Sequence, residues 1–406
     1  MSQQSTRLDP RTIADPYPRY HQLRAEDPVR WNKGVNAWIL TRYSDVSAAL
    51  RYDRLSAERI TALTGLIGES GGESARQFER TFLKMMLFSD PPDHTRLRSL
   101  ANKAFTPRVV EQIRSHIQGI VKGLLDGVQP DGDREPGKID VITDLAYPLP
   151  AIVIAEMLGA EPKDRDQFKK WSDDLAAFLG NIRIVSETYE SAMKSVAELI
   201  DYLRELVAQR RKEPKDDLIS ALVMAEDQGD SFTQEELFSM CVLLIFAGHE
   251  TTTNLIGNGI LALLNNPSEL AKLRQNPSLI VPAIEEIIRY DGPVQTTTRT
   301  ALEPLEIGGK QIAKGDRISL TLGAANRDPA QFPDPDRMDI TRGENRHVGF
   351  GFGIHFCLGA ALARMESQLA IGAMVERMPE LNLESTELVW GDNRILRSVN
   401  SLPIAF

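Results

Sequence analysis

The sequence predicts a mainly α chain with small β regions, built around one long central helix. Three observations predict it. The segment from Thr233 to Asn265 is apolar along most of its front half and carries helix signals at both ends. Six further segments repeat apolar residues at helical spacing, whereas strand-like segments are few and short. Hydrophobic residues make up 42% of the 406 residues and aromatics only 6%, so a large and mostly aliphatic core is available.

Thr233 and Glu236 form a capping box at the front of the central helix, and Asn265-Asn266-Pro267 stops it. At 1.5 Å per residue, ~32 residues would cross ~48 Å, the width of a protein this size. Its longest apolar run, Leu237 to Gly248, is shorter than the ~20 residues a membrane span needs. The same periodicity predicts helices over Pro107–Val128, Ala146–Leu158, Arg165–Leu179, Ser186–Arg211, Ser278–Tyr290 and Leu358–Met378. Strands are expected at Ala37–Thr41, Leu305–Ile307, Lys310–Ile312, Arg317–Thr321 and Leu402–Phe406, with a hairpin turn at Ile307-Gly308-Gly309-Lys310. The loosest stretches, Thr64–Gly72 and Gln129–Lys138, are too short to be convincing linkers, and no internal repeat is present. A single domain over residues 1–406 is the expectation.

Composition removes several function classes. The balance of 42% hydrophobic and 26% charged residues excludes disordered, collagen-like and coiled-coil readings. With 47 Lys and Arg against 57 Asp and Glu, the net charge of −10 argues against nucleic acid or an anionic membrane as partner. The two cysteines, Cys241 and Cys357, form no CxxC pair, which excludes a disulfide scaffold and a multi-cysteine zinc or iron–sulfur site. The N-terminus lacks the apolar core of a signal peptide, so a cytoplasmic protein is expected.

The most informative window is Gly349-Phe-Gly-Phe-Gly-Ile-His-Phe-Cys357-Leu-Gly359, followed at once by a strong helical pattern. A glycine-rich loop delivers one cysteine to a helix start, where main-chain N–H groups and the helix dipole favour a thiolate. Glycines let the backbone approach something large and flat. One stabilised thiolate in a metal-poor sequence suggests a single axial ligand, as in a haem-thiolate centre. A dinucleotide fingerprint fails because Phe356 stands where the third glycine should fall. Zinc held by His347, His355 and Cys357 lacks a fourth ligand, and burial in the core is the usual fate of a lone cysteine. For Cys241, among Met240, Leu244 and Ile245, the core reading is the better one.

These residues resemble a known family. Phe350-x-x-Gly353-x-His355-x-Cys357-x-Gly359 is similar to the haem-binding loop of the cytochromes P450. Ala247-Gly248-His249-Glu250-Thr251 resembles the oxygen-binding stretch of that family's long helix. Glu286-Ile-Ile-Arg289 resembles its Glu-x-x-Arg, and Phe332-Pro-Asp-Pro-Asp-Arg337 its meander. The four motifs stand in the family's order, and the resemblance runs from Asp15 to Phe406. Asp90-Pro-Pro-Asp-His-Thr-Arg-Leu-Arg98 and Gly323-Ala-Ala-Asn-Arg-Asp-Pro329 resemble soluble bacterial macrolide, polyketide and fatty-acyl hydroxylases of secondary metabolism.

The resemblance implies the cytochrome P450 fold, with the long helix over a buried haem b (iron protoporphyrin IX), and assigns roles. Cys357 would be the iron's thiolate ligand, with Gly353 and Gly359 keeping the loop tight and Phe350 shielding the sulfur. His94, Arg98, Arg299 and His355 would meet the haem propionates. Ala247 and Gly248 would open a groove in the helix over the iron. Glu250 and Thr251 would relay protons toward the oxygen site, with the Thr251 hydroxyl able to bond back to Ala247. A zinc-protease His-Glu-x-x-His is excluded by Thr253. Glu286 and Arg289 would lock the cysteine loop.

The implied activity is a haem-thiolate monooxygenase acting on a fairly large apolar molecule. Leu243, Ala247, Val294 and Leu396, with segments in 56–87, 168–191 and 292–298, are candidate substrate contacts. Electrons would come from a ferredoxin and its reductase, docking on the cysteine side where Arg108, Arg342, Arg346 and Arg364 could meet an acidic partner. A monomer is expected. A peroxide-driven peroxygenase and a non-catalytic haem sensor are the alternatives, and neither needs the Glu250–Thr251 pair.

Overall fold

The computed structural model describes residues 10–59, 72–128, 137–180, 186–227, 229–393 and 395–406. The expected N-terminal sequence, most of Thr64–Gly72, most of Gln129–Lys138 and parts of the expected substrate segments lie outside these residues.

The centre of the molecule is a helix over Gln234–Asn265, 32 residues long. Its start follows from the capping box: the Thr233 hydroxyl accepts from the Glu236 N–H at 3.3 Å, and the Glu236 carboxylate accepts from the Thr233 N–H at 2.9 Å. Asn266 ends it, and Pro267 opens the next helix, Pro267–Gln275. Because it is apolar on nearly every face, it needs neighbours all round. It finds them in Pro148–Met157, Arg165–Gly180, Ser186–Lys212, Ile280–Asp291 and Ala360–Arg377. Their aliphatic side chains merge into one large core, and a smaller one lies under the main sheet.

Expected helices match with shifted ends, and Pro107–Val128 is divided. Pro107–Val128 breaks at Ile113 into Pro107–Gln112 and Arg114–Asp126. Ahead of Pro148, residues Ile142–Ala146 form a wider π turn. Helices over Tyr17–Glu26 and Tyr43–Ala49 were not expected, being short and polar, with few apolar repeats; Glu73–Leu83 was missed although Phe78 and Phe82 repeat at helical spacing on its buried face.

The main sheet runs Val29–Asn32, Ala37–Leu40, Arg317–Thr321, Thr296–Ala301, Leu55–Ser56. Two of these pairings, those of Thr296–Ala301 with Arg317–Thr321 and with Leu55–Ser56, were not anticipated because Thr296–Ala301 is polar up to its last residue and lacks an alternating pattern. That strand matters for the site. It fixes Arg299 opposite Ile318 and brings the chain after Leu55–Ser56 alongside it. The expected hairpin forms between Leu305–Ile307 and Lys310–Ile312, with both turn glycines at positive φ.

The segment carrying the cysteine is anchored by a buried ion network. Glu286 accepts two hydrogen bonds from Arg289 at 2.8 Å, and both side chains are fully buried. Arg342 at 3.1 Å, Asn345 at 3.2 Å and the Asp339 N–H at 2.8 Å use the same carboxylate. Arg289 also donates to the carbonyls of Asn326, Pro335 and Arg337. The Asn326 side chain in turn accepts the Val348 N–H at 2.8 Å, at the entry to the cysteine loop. Replacing Glu286 with Gln leaves two arginines without their counter-charge, one of them fully buried. Thermal or denaturant unfolding should show a loss of about 3–5 kcal/mol, whereas replacing exposed Glu111 should show almost none.

Candidate functional site

The cysteine loop has a defined shape. Val348 accepts from the Gly351 N–H at 2.9 Å, residues Gly353–His355 make one 3-10 turn, and the Cys357 N–H donates to Phe350 O at 3.0 Å. Gly353 has φ +72°, and a Cβ there would come within 2.8 Å of the Leu50 carbonyl, so the position requires glycine. Gly359 caps the helix Ala360–Arg377, and a Cβ on it would meet nothing within 4 Å. Packing within the chain therefore does not demand a glycine at 359, and the space beside Cys357 suits a flat group lying against the backbone.

The local electrostatics of Cys357 run against a simple expectation. Burial pushes its thiol above the ordinary value; the Gly359 N–H and the charges of Arg98 and Arg364 pull it down without overcoming that burial. A helix start alone does not make this thiolate. A bound metal cation would. Phe350 stacks its ring 6.3 Å from Phe356 and 6.1 Å from His347, with the Arg364 guanidinium 4.5 Å above it. Among the described residues no three His, Cys, Asp or Glu side chains converge on a metal position, so the zinc reading of His347, His355 and Cys357 finds no support.

Beside the loop lies a concentration of cations. His94 and Arg98 share the helix Asp93–Ala104, and the His94 ring stands 4.1 Å from that of His355. Arg98 donates to Phe356 O at 2.7 Å, and Arg299 to Thr298 O at 2.9 Å; both spend these bonds on main-chain carbonyls rather than on carboxylates. Burial lowers His94 to about 4, with Arg98 adding to the effect, and lowers His355 to about 3, with His94, Arg299 and Arg59 adding. The two histidines are therefore neutral donors at pH 7, and arginines carry the positive charge. Both ring nitrogens of buried His94 lack a hydrogen-bond partner. Arg59 belongs to this group but was not anticipated: burial brings it down to about 9, helped by the charges of Arg299 and Arg317. Its tie to the site is the strand pairing of Leu55–Ser56, which no sequence pattern announces. A dianionic ligand edge supplies what this cluster lacks, and haem carries two propionates. The residues present fit haem.

On the central helix, Thr251 Oγ1 donates to Ala247 O at 2.8 Å, as its spacing allows. Gly248 faces Ile154, its absent Cβ 3.6 Å from that side chain. Glu250 has a buried carboxylate oxygen without a hydrogen-bond partner, and burial with the Asp173 charge raises it to about 7. His249, inside the same motif, is held elsewhere: its Nδ1 pairs with Ser172 Oγ at 2.9 Å and its Nε2 with Tyr147 O at 3.2 Å. It pins the central helix to Arg165–Gly180 and takes no part in the pair. Tyr147 also donates to Asp173, so the acid next to Glu250 is itself held.

Of the expected substrate contacts, Val294 and Leu396 face each other as bridge partners, and Gln295 N–H donates to Ile395 O at 2.8 Å. Leu243 and Ala247 lie on the central helix. Two of the four arginines expected to meet a partner protein are committed within the chain: Arg342 to Glu286 and Arg364 to Glu285. Arg108 and Arg346 are exposed.

Comparison with known proteins places this geometry. Residues 71–381 match the Cytochrome P450 family. The chain is 42% identical over 398 residues to cytochrome P450 107B1 of Saccharopolyspora erythraea, covering 96% of this chain and 95% of that one. It is 38% identical to the polyketide biosynthesis cytochrome P450 PksS of Bacillus subtilis, covering 96% of each. A structure of P450BioI in complex with hexadec-9Z-enoic acid ligated acyl carrier protein superposes with a TM-score of 0.89 at 38% identity, covering 98% of this chain and 99% of that one.

The raised Glu250 has a signed consequence. A carboxyl near 7 in the folded protein and at 4.5 unfolded keeps its proton longer when folded, so it loses stability as pH rises from about 4.5 to about 7. Glu250→Gln removes that loss. Its unfolding free energy relative to wild type, from denaturant titrations at several pH values, should climb across this window and level off above it, by an amount on the order of 3 kcal/mol at most.

Proposed function

The chain belongs to the cytochrome P450 family and is a haem b-dependent monooxygenase, and on that premise we propose that Cys357 ligates the iron and that the substrate is a fairly large apolar molecule of polyketide, macrolide or fatty-acyl type. The observation that carries the reaction is the Glu250–Thr251 pair on the central helix. The proposal extends to a single domain over residues 1–406, a monomer, and electrons from a ferredoxin with its reductase.

Bound haem supplies dioxygen activation, with one oxygen atom entering a C–H bond and the other leaving as water after two electrons and two protons are taken up. The chain's residues do the rest. Cys357 Sγ would hold the iron, and a thiolate ligand is the kind that favours O–O cleavage. Arg98, Arg299 and Arg59 would neutralise the propionates, and neutral His94 and His355 could donate N–H bonds to them. Gly353 and Gly359 admit the ring against the backbone. Thr251 holds its proton in a bond to Ala247 O and can turn it away toward the oxygen site. Glu250, near 7, can give and regain a proton at neutral pH, the value a proton donor there needs. A peroxide-driven enzyme or a haem sensor has no use for that pair.

The substrate reading draws on the relatives. One is named for polyketide biosynthesis and another is solved with a fatty acid on an acyl carrier protein. The segments expected to contact substrate are rich in Leu, Ile and Met. The reductant would approach past exposed Arg108 and Arg346, and salt-insensitive reduction by a ferredoxin would count against that route.

Two measurements test the reading. Titrating the ferric protein with hexadecenoic acid should shift it from low to high spin; an unmoved spectrum points to bulky polyketides instead. Thr251→Ala should keep haem and substrate binding while diverting electrons to hydrogen peroxide, with product per electron down by at least about tenfold, the scale of one positioned proton donor. Product at the wild-type rate would remove Thr251 from the mechanism.

A further inference from the structure

Glu285 and Glu286 are adjacent on one helix and point in different directions, as neighbouring helical residues must. Glu286 serves the anchoring network. Glu285 belongs to none of the four recognised motifs, yet it accepts from Arg364 Nε at 2.6 Å and Nη2 at 2.8 Å, and it pairs with His347 Nε2 at 3.1 Å. The Nδ1 of His347 accepts the Gly349 N–H at 3.2 Å, which places the ring proton on Nε2, donating to Glu285. Both partners of Glu285 therefore touch the cysteine loop. Arg364 lies 4.5 Å over the Phe350 ring, the His347 ring lies 6.1 Å from it at a tilt of 50°, and Phe350 O accepts the Cys357 N–H.

We propose that Glu285 is a positioning residue for the iron ligand: it holds Arg364 over Phe350 and offsets its charge, and so sets the positive potential at the Cys357 sulfur. This rests on Cys357 as the ligand. Arg364 reaches the cysteine loop from the helix Ala360–Arg377, with its guanidinium over Phe350, the residue whose carbonyl holds the Cys357 N–H. A bidentate carboxylate cancels most of a guanidinium's field beyond a few ångströms. The ferrous state carries one more electron than the ferric, so a more positive surrounding favours it. Freed of Glu285, Arg364 stabilises the ferrous state; without Arg364, the bare Glu285 carboxylate opposes it. A merely structural role would move both variants the same way.

The test is redox titration of the haem-loaded full chain. Glu285→Gln should shift the ferric–ferrous equilibrium toward ferrous by about three- to tenfold, and Arg364→Gln toward ferric by a similar factor; tenfold is 59 mV for a one-electron couple. Glu285→Asp should return close to wild type. Shifts of equal sign, or none in either variant, overturn the proposal. If Glu285→Gln loads no haem, Arg364→Lys against Arg364→Gln decides: lysine near wild type with glutamine shifted supports it, and equal values overturn it. The ferrous–CO spectrum separates this from the ligand assignment. A thiolate-type band that survives Cys357→His refutes the ligand, whereas an intact band lost in that variant, without the opposed shifts, refutes only Glu285.

Discussion

The Glu286 carboxylate is the constraint on which the rest depends. It is fully buried and gathers Arg289, Arg342, Asn345 and the Asp339 N–H around two oxygens. Arg289 carries the constraint onward through Asn326, whose side chain takes the Val348 N–H where the cysteine loop begins. Of the loop's apolar side chains, Phe352, Ile354 and Phe356 are exposed, so packing within the chain does little to fix it. It is fixed instead by a chain of hydrogen bonds that starts in the core. A buried ion pair is a weak source of net stability, because desolvation offsets most of the attraction. What it supplies is a geometry that is costly to leave. That suits a loop whose task is to hold one sulfur in place.

The same economy of charge organises the cofactor side. The chain is acidic overall, at −10, yet Arg59, Arg98 and Arg299 are drawn together in a buried place, where burial first and neighbouring positive charge second lower Arg59 and the two histidines. Such a cluster opposes folding unless an anion joins it. Its members come from three distant parts of the chain: the segment after Leu55–Ser56, the helix Asp93–Ala104 and the strand Thr296–Ala301. The sheet that unites them is thus part of the site rather than an accessory to it. The neutral state of His94 follows first from its burial, with the charges of Arg98 and Arg299 adding to it.

Legibility in the sequence divided along physical lines. The central helix was readable to within a residue because its capping box, apolar length and Asn-Pro stop are local signals. The Cys357 loop was readable because glycine and cysteine at fixed spacing have few other uses. Thr296–Ala301 was not, since four threonines and an arginine make no alternating pattern, and with it the approach of Arg59 was hidden. Arg342 and Arg364 looked like surface cations because sequence carries no sign of which carboxylate a flexible side chain meets. Glu285 was invisible for the same reason: its partners lie 62 and 79 positions away. At Cys357 the helix-start N–H groups were visible in the sequence, whereas the burial that acts against them was not.

The central helix shows how these demands conflict. Its burial on nearly every face calls for an unbroken apolar surface, yet Gly248, Glu250 and Thr251 interrupt it. Glycine inside a helix costs ~1 kcal/mol against alanine, and Glu250 has an oxygen without a partner. The structure contains the damage by locking the residue between them: His249 is tied to Ser172 and to the Tyr147 carbonyl, so the helix is held to its neighbours on one face while the other is left polar. Tyr147 in turn holds Asp173, the charge that keeps the Glu250 proton in place. A core stabilised only by packing would have replaced Glu250 with leucine. Its retention beside a threonine that can release its own hydrogen bond is what separates a proton-delivering helix from a merely structural one.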